Sequence, residues 1–171
     1  MAGKLDVLPG ETPDLEDWAD HLSTLFPEVR LKRFLEMRGA DAGMASRVSE
    51  LPALWVGLLY DSVALDAAWD LVKDWSAAER QEIRDSMPVT ALATRFRHTD
   101  IGAIARQVVT IAEVGLKRRA VLDGQGRDER VYLEGLRRIV DRGRTAADDI
   151  LDRFHGSWQG DAAHAFRELR F

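Results

Sequence analysis

Apolar residues recur along most of this chain at the spacings of helices. Leu15, Trp18, Leu22 and Leu25 follow one another at steps of three and four, which gives one apolar face. Thr12-Pro13 precedes them, a hydroxyl cap followed by proline at the first helical position. Asp14, Glu16 and Asp17 then sit at the positive end of the dipole, and Pro27 stops the helix. Pro52 to Tyr60 is apolar nearly all round and predicts a buried helix. Ser62 heads the next, with Leu65, Trp69, Val72 and Trp75 along one stripe. Ser76-Ala-Ala-Glu79 has capping-box spacing and opens a helix that ends near Pro88. Asp100 heads the longest predicted helix, running to about Ala120, with Ile101, Ile104, Val108, Ile111 and Gly115 on one face. Gly124 and Gly126 end it. Asp128 to Arg142 follows, with Tyr132, Leu136, Ile139 and Val140 inward, and Thr145 caps a helix through Phe154. The remaining tail is less regular.

Arg30 to Gly43, RLKRFLEMRGADAG, fits this pattern least well. As a helix it puts Leu31, Phe34, Leu35 and Arg38 on one face. As a strand, with its period of two, it puts Val29, Leu31, Arg33, Leu35 and Met37 on one side and Arg30, Lys32, Phe34, Glu36 and Arg38 on the other. Pro27 and Gly39 bound the run at strand length. Periodicity alone leaves both open.

Composition narrows the functional classes. With 46% hydrophobic residues, the 171-residue chain has material for a core of one compact domain. A net charge of −5 and a pI near 5.4 argue against global attraction to nucleic acid or to an anionic membrane. The longest apolar run, Leu51 to Tyr60, is about half of the roughly 20 residues of a membrane-spanning helix. There is no cysteine, so neither a disulfide nor a thiolate metal site forms within the chain. The N-terminus lacks a signal-peptide core. Together these features lead us to expect a soluble, cytoplasmic protein. The histidines at 21, 98, 155 and 164 lack metal-ligand spacing, and no G-x-S-x-G occurs. The G-x-G of DGQGRD follows a helix rather than a strand, so it predicts a helix stop and a turn, not a phosphate loop.

On a strand, Glu36 and Arg38 share a side and acquire a chemical reading. A carboxylate facing a cleft can ligate Mg²⁺, a hard cation that prefers oxygen. A guanidinium beside it can grip a phosphate or carboxylate with two bonds. Transfer of a phosphoryl group from ATP requires both. The plainer reading is an ion pair on a wet sheet surface, since E-x-R is a common tripeptide. Trp55 is read either as an aromatic wall of a substrate pocket or as core packing. Arg30, Lys32 and Arg33 are either phosphate or adenine contacts, or solvated cations.

Longer words carry a family resemblance. HLSTLFPEVRLKRFLEMRGAD (His21 to Asp41), LPALWVGLLYD (Leu51 to Asp61) and AAWDLVKDW (Ala67 to Trp75) closely resemble the C-terminal part of the glutamate–cysteine ligases shared by plants and proteobacteria. LDGQGRDE (Leu122 to Glu129) and RFHGSW (Arg153 to Trp158) extend the likeness over nearly the whole chain. That family is similar to glutamine synthetase and other carboxylate–amine ligases, which fold an antiparallel sheet into an ATP–Mg²⁺ cleft backed by helices. The resemblance implies synthesis of γ-glutamylcysteine from glutamate, cysteine and ATP through γ-glutamyl phosphate. It implies Glu36 as a Mg²⁺ ligand and Arg38 as a clamp on the transferred phosphoryl group or the glutamate carboxylate. Asp41 is expected to hold the turn after the strand or to cap the next helix. Ala42 to Glu50 departs from the family's pattern, and the chain is far shorter than the family's members.

The expectation is therefore an α+β, mostly helical chain, with one or two strands of a glutamine-synthetase-like antiparallel sheet and about six or seven helices. Residues 1–171 would form a single C-terminal portion of a larger catalytic domain, with the N-terminal half of the enzyme as its missing partner, and would be inactive alone. The rival reading is a non-catalytic helical domain that binds a partner, or the product of a decayed gene.

Overall fold

The computed structural model describes residues 9–40, 43 and 45–169. Two compact units divide the chain, one up to Ala42 and one from Gly43 onward. The fold is α+β and mostly helical, with eight α-helices and two small two-stranded antiparallel sheets among the described residues.

The first unit holds helix α1 (Leu15–Ser23) and strands β1 (Val29–Leu31) and β2 (Leu35–Met37). Its helix cap is Asp14, not Thr12. The Asp14 carboxylate accepts the Glu16 and Asp17 amides, and the Asp17 carboxylate accepts the Asp14 amide at 2.9 Å. Three residues on from Thr12 is Leu15, which has no oxygen to complete such a box. The helix also stops before Pro27, where Thr24 Oγ1 donates back to the His21 carbonyl at 2.7 Å. None of its residues is buried.

RLKRFLEMR is neither a helix nor one strand. It is a hairpin with Arg30 opposite Glu36 and Leu31 opposite Leu35. Lys32 to Phe34 make the turn, closed by the Lys32 amide donating to the Phe34 carbonyl at 2.9 Å. The pairing is symmetric about Arg33, so paired residues share parity and face the same side. The two faces expected of a single strand survive for this reason, and only the turn residues leave them.

The second unit is built around α5 (Ile101–Arg119). Against it pack α2 (Glu50–Leu59), α3 (Ser62–Val72) and α6 (Glu134–Arg142). Ala53 and Leu58 of α2, Ala112 and Leu116 of α5, and Leu133 form one core cluster. Ile83 of α4 (Ala77–Thr90), Phe96, Ile101 and Ile104 form a second. Small residues let the helices approach closely. A Cβ on Gly115 would collide with the Gly57 carbonyl and meet Ala64 Cβ at 3.0 Å. Strands β3 (Arg95–Phe96) and β4 (Thr99–Asp100), joined by Arg97-His98, form a minimal hairpin between α4 and α5. α7 (Ala146–His155) and α8 (Ala163–Glu168) complete the chain.

Ser76, Asp100 and Thr145 cap α4, α5 and α7 as their sequences predict. Several other details differ. Asp61, not Ser62, caps α3, because its carboxylate reaches the Ala64 amide at 3.0 Å. The inward face of α3 is Ala64 and Ala68, which leaves Leu65 and Trp69 exposed. Only a small residue fits where α3 meets Gly115, and this rotates the larger stripe outward. Pro88 lies inside α4 near its end, where it removes one hydrogen bond without breaking the helix. α5 ends at Ala120, in the left-handed conformation at φ 53°, ahead of Gly124. Glu129–Leu133, capped by Asp128, is a 3-10 turn rather than the start of α6, and its tighter period buries Leu133 instead of Tyr132.

Among the described residues no single helix is long and apolar enough to cross a membrane. Asp41, Ala42 and Met44 lie outside the described residues, and with them the reading of Asp41 and part of that for Ala42 to Glu50.

Candidate functional site

Glu36 and Arg38 stand on β2 and just beyond it, on the polar side of the hairpin. Arg30, directly across on β1, is the partner of Glu36. Its Nε donates to Glu36 Oε2 at 2.8 Å, and its Nη2 forms an ion pair with the same oxygen at 2.8 Å. Lys32 Nζ lies 3.9 Å from the same oxygen. The Arg30 hydrogen bond holds the Glu36 carboxyl below the usual carboxylate range; desolvation opposes it, and the charges of Arg30, Lys32 and Arg38 add to the lowering. Glu36 is thus ionised at neutral pH, and its side chain is 31% exposed.

Arg38 is set differently. Its amide donates to the Glu28 carbonyl at 2.7 Å, which carries the hairpin pairing past the strand end. Its guanidinium lies over the Phe26 ring, 4.8 Å from the centroid. Nη1 is buried and meets no hydrogen-bond acceptor among the described residues. A buried cationic donor without an acceptor is costly, and sites that bind anions are where such donors are kept.

Arg30 and Arg38 therefore share a face with one ionised carboxylate, which Lys32 approaches from the turn, a balance that favours an anion. Arg30 was a candidate phosphate contact in the sequence; the structure engages it with Glu36. The signal for that pairing was the hairpin register, which a single-strand reading hides. Phe26 as the platform under Arg38 was also missed, because it precedes Pro27 and falls outside both periodicities. Trp55 belongs to the second unit, on α2, where it is partly buried against the first core cluster. Among the described residues no group of three or more His, Asp or Glu side chains could hold a metal.

Two comparisons bear on this hairpin. Residues 3–168 match Glutamate-cysteine ligase family 2 (GCS2). The chain is 46% identical over 171 residues to the chloroplastic glutamate–cysteine ligase of Arabidopsis thaliana. It is 44% identical over the same length to those of Medicago truncatula and Nicotiana tabacum. Each match takes in the whole of this chain and 32% of the relative, so the chain spans about a third of the length of the curated relatives it matches. The expectation of a cytoplasmic protein is corrected here: absence of a signal-peptide core does not separate cytoplasm from plastid, and the relatives are chloroplastic enzymes. Since the family match runs through all but the first two and last three residues, the chain belongs to glutamate-cysteine ligase family 2.

Proposed function

We propose that this chain is the part of an ATP-dependent glutamate–cysteine ligase that carries one wall of its active site, on the β1–β2 hairpin. The substrates are glutamate, cysteine and ATP. A γ-carboxylate oxygen of glutamate attacks the terminal phosphorus of ATP, and ADP leaves. The cysteine amine then attacks the acyl carbon of γ-glutamyl phosphate, and inorganic phosphate leaves as the amide bond forms.

The observation that carries this reading is the buried, acceptor-free Nη1 of Arg38 beside a Glu36 already held by Arg30. A guanidinium whose Nη1 is buried and acceptor-free suits an oxygen that gains charge during phosphoryl transfer. Arg38 would clamp that oxygen, or the carboxylate that attacks it. Arg30 and Lys32 act on Oε2 of Glu36 and keep it ionised. Its other oxygen, Oε1, fits a contribution to Mg²⁺, which commonly takes only one or two protein carboxylates alongside substrate phosphates and water. Bound there, Mg²⁺ would neutralise charge on the phosphates. Among the described residues no group of three or more His, Asp or Glu side chains could hold a metal, which suits a site that forms one wall of a metal centre.

The test is a chimera in which this chain replaces the matching segment of the Arabidopsis ligase. The chimera should make γ-glutamylcysteine with ATP, while the 171-residue chain alone should release no phosphate above background. In the chimera, Arg38→Gln should lower kcat by about 10²- to 10³-fold, the scale of losing one preorganised charge-stabilising donor. Turnover by the chain alone, or an Arg38→Gln chimera with normal kcat, would contradict the proposal.

A further inference from the structure

The elbow between α3 and α4 holds an apolar pocket with a cationic rim, in the second unit and on neither strand of the hairpin. It has a volume of about 280 Å³ and is lined by Trp69, Val72, Lys73, Trp75, Arg80 and Ile83. We infer that it binds a small aromatic carboxylate, with the ring between the indoles and the carboxylate on Arg80.

Its floor is rigid. Ile83 belongs to the second core cluster, and Trp75 packs against it, with its ring 4.8 Å from that of Phe96. A short turn joins the two helices here: the Trp75 amide donates to the Val72 carbonyl, and Ser76 caps the next helix. The outer wall is Trp69, whose indole is 62% exposed. Leaving so large an apolar surface in water forgoes hydrophobic stabilisation that a flat ligand would recover.

Charge decides the ligand's class. Lys73 is paired with Asp70 at 2.7 Å. Glu79 is occupied by Arg97, whose Nε lies 2.7 Å from Oε1, and the Asp74 carbonyl accepts from the same guanidinium. Of the two charged residues that line the pocket, Lys73 and Arg80, only Arg80 forms no ion pair among the described residues. A guanidinium without an ion pair, lining the same pocket as two indoles, complements one negative charge on a planar apolar body. At about 30 Å³ per water, the volume holds on the order of ten heavy atoms, the size of a phenylalkanoate.

The probes are 3-phenylpropionate and its neutral amide, titrated into the full chain while the five tryptophan indole N–H signals are followed by NMR. The acid should shift the Trp69 and Trp75 signals saturably and leave those of Trp18, Trp55 and Trp158 in place. The amide should bind about tenfold more weakly, as should the acid to Arg80→Gln, the scale of one hydrogen bond to a charged group. Arg80→Gln should keep the chemical shifts of the remaining indoles, since Arg80 supports no ion pair of the fold. Equal binding of acid and amide would overturn the inference, as would unsaturable shifts or shifts spread over all five indoles.

Discussion

Glu50 and Glu79 show how differently one side-chain type behaves in this fold. Glu50 is 9% exposed at the start of α2, its carboxylate pressed on Gly135 of α6, where a Cβ would collide with it. Burial pushes its carboxyl above the ordinary range, and Arg47 and Arg138 only partly offset this. A raised folded value means the native state holds the proton more tightly. Stability should therefore fall as pH rises through the ordinary glutamate value toward the raised one. Glu50→Gln should remove that slope and stabilise the chain by about 1 kcal/mol at pH 7, the scale of an uncompensated buried polar group. Thermal melts of both proteins between pH 4 and 8 would check it; a lower Tm for Glu50→Gln at pH 7 would refute it. Glu79 is the opposite case. Arg97, then the amide and hydroxyl of Ser76, hold it down to about 2 from an ordinary 4.5. Its contribution is present above pH 4.5 and is lost as pH falls toward 2. Arg97→Ala should flatten the acid limb of urea unfolding in that window, whereas an unchanged limb would show that Arg97 is not what holds Glu79.

At the scale of elements, the sequence was legible where a local rule decides and illegible where packing does. Ser76-Ala-Ala-Glu79 is a capping box in the sequence and in the structure, and Thr145 caps α7 as expected, completed by Asp148, because cap and partner lie three residues apart. The hairpin was half legible. Its two faces follow from parity, but its turn at Lys32 to Phe34 contains no glycine, asparagine or proline to announce it. β3 and β4 have two residues each, too few for any period to register. The stripe Leu65, Trp69, Val72 was a clear amphipathic signal that packing overrode, since the α3–α5 contact demands a small residue at Ala64. That demand is testable. Gly115→Ala places a Cβ into the Gly57 carbonyl, with Ala64 Cβ 3.0 Å away. Backbone cannot yield as a flexible side chain can. Gly115→Ala should therefore cost about 1–3 kcal/mol, the range of overpacked cores, despite alanine's better helix propensity. Equal or higher stability by urea titration would show that the α2–α5 spacing is wrong.

At the scale of the whole molecule, the family was legible in long words and not in any local pattern. Composition and periodicity described only a helical chain with a few ambiguous residues. Glu36 and Arg38 could be named as candidates from the sequence, but their partners Arg30 and Phe26 could not, because those contacts come from the hairpin register and from a residue beyond a proline. Cellular location was not legible. Under the proposed function, the hairpin supplies Glu36 as a charged ligand and not merely as an ion pair. The most direct measurement is phosphate release by the chimera with Glu36→Gln, titrated with Mg²⁺ in the presence of ATP, glutamate and cysteine. The amide can still accept from Arg30, so the hairpin should persist and the melting curve should stay within a few degrees. We predict a fall in kcat of about 100-fold or more, with a higher Mg²⁺ requirement, as expected when one oxygen that stabilises the transferring group is lost. Near-normal turnover at an unchanged Mg²⁺ requirement would contradict the claim and leave Glu36 as the structural partner of Arg30.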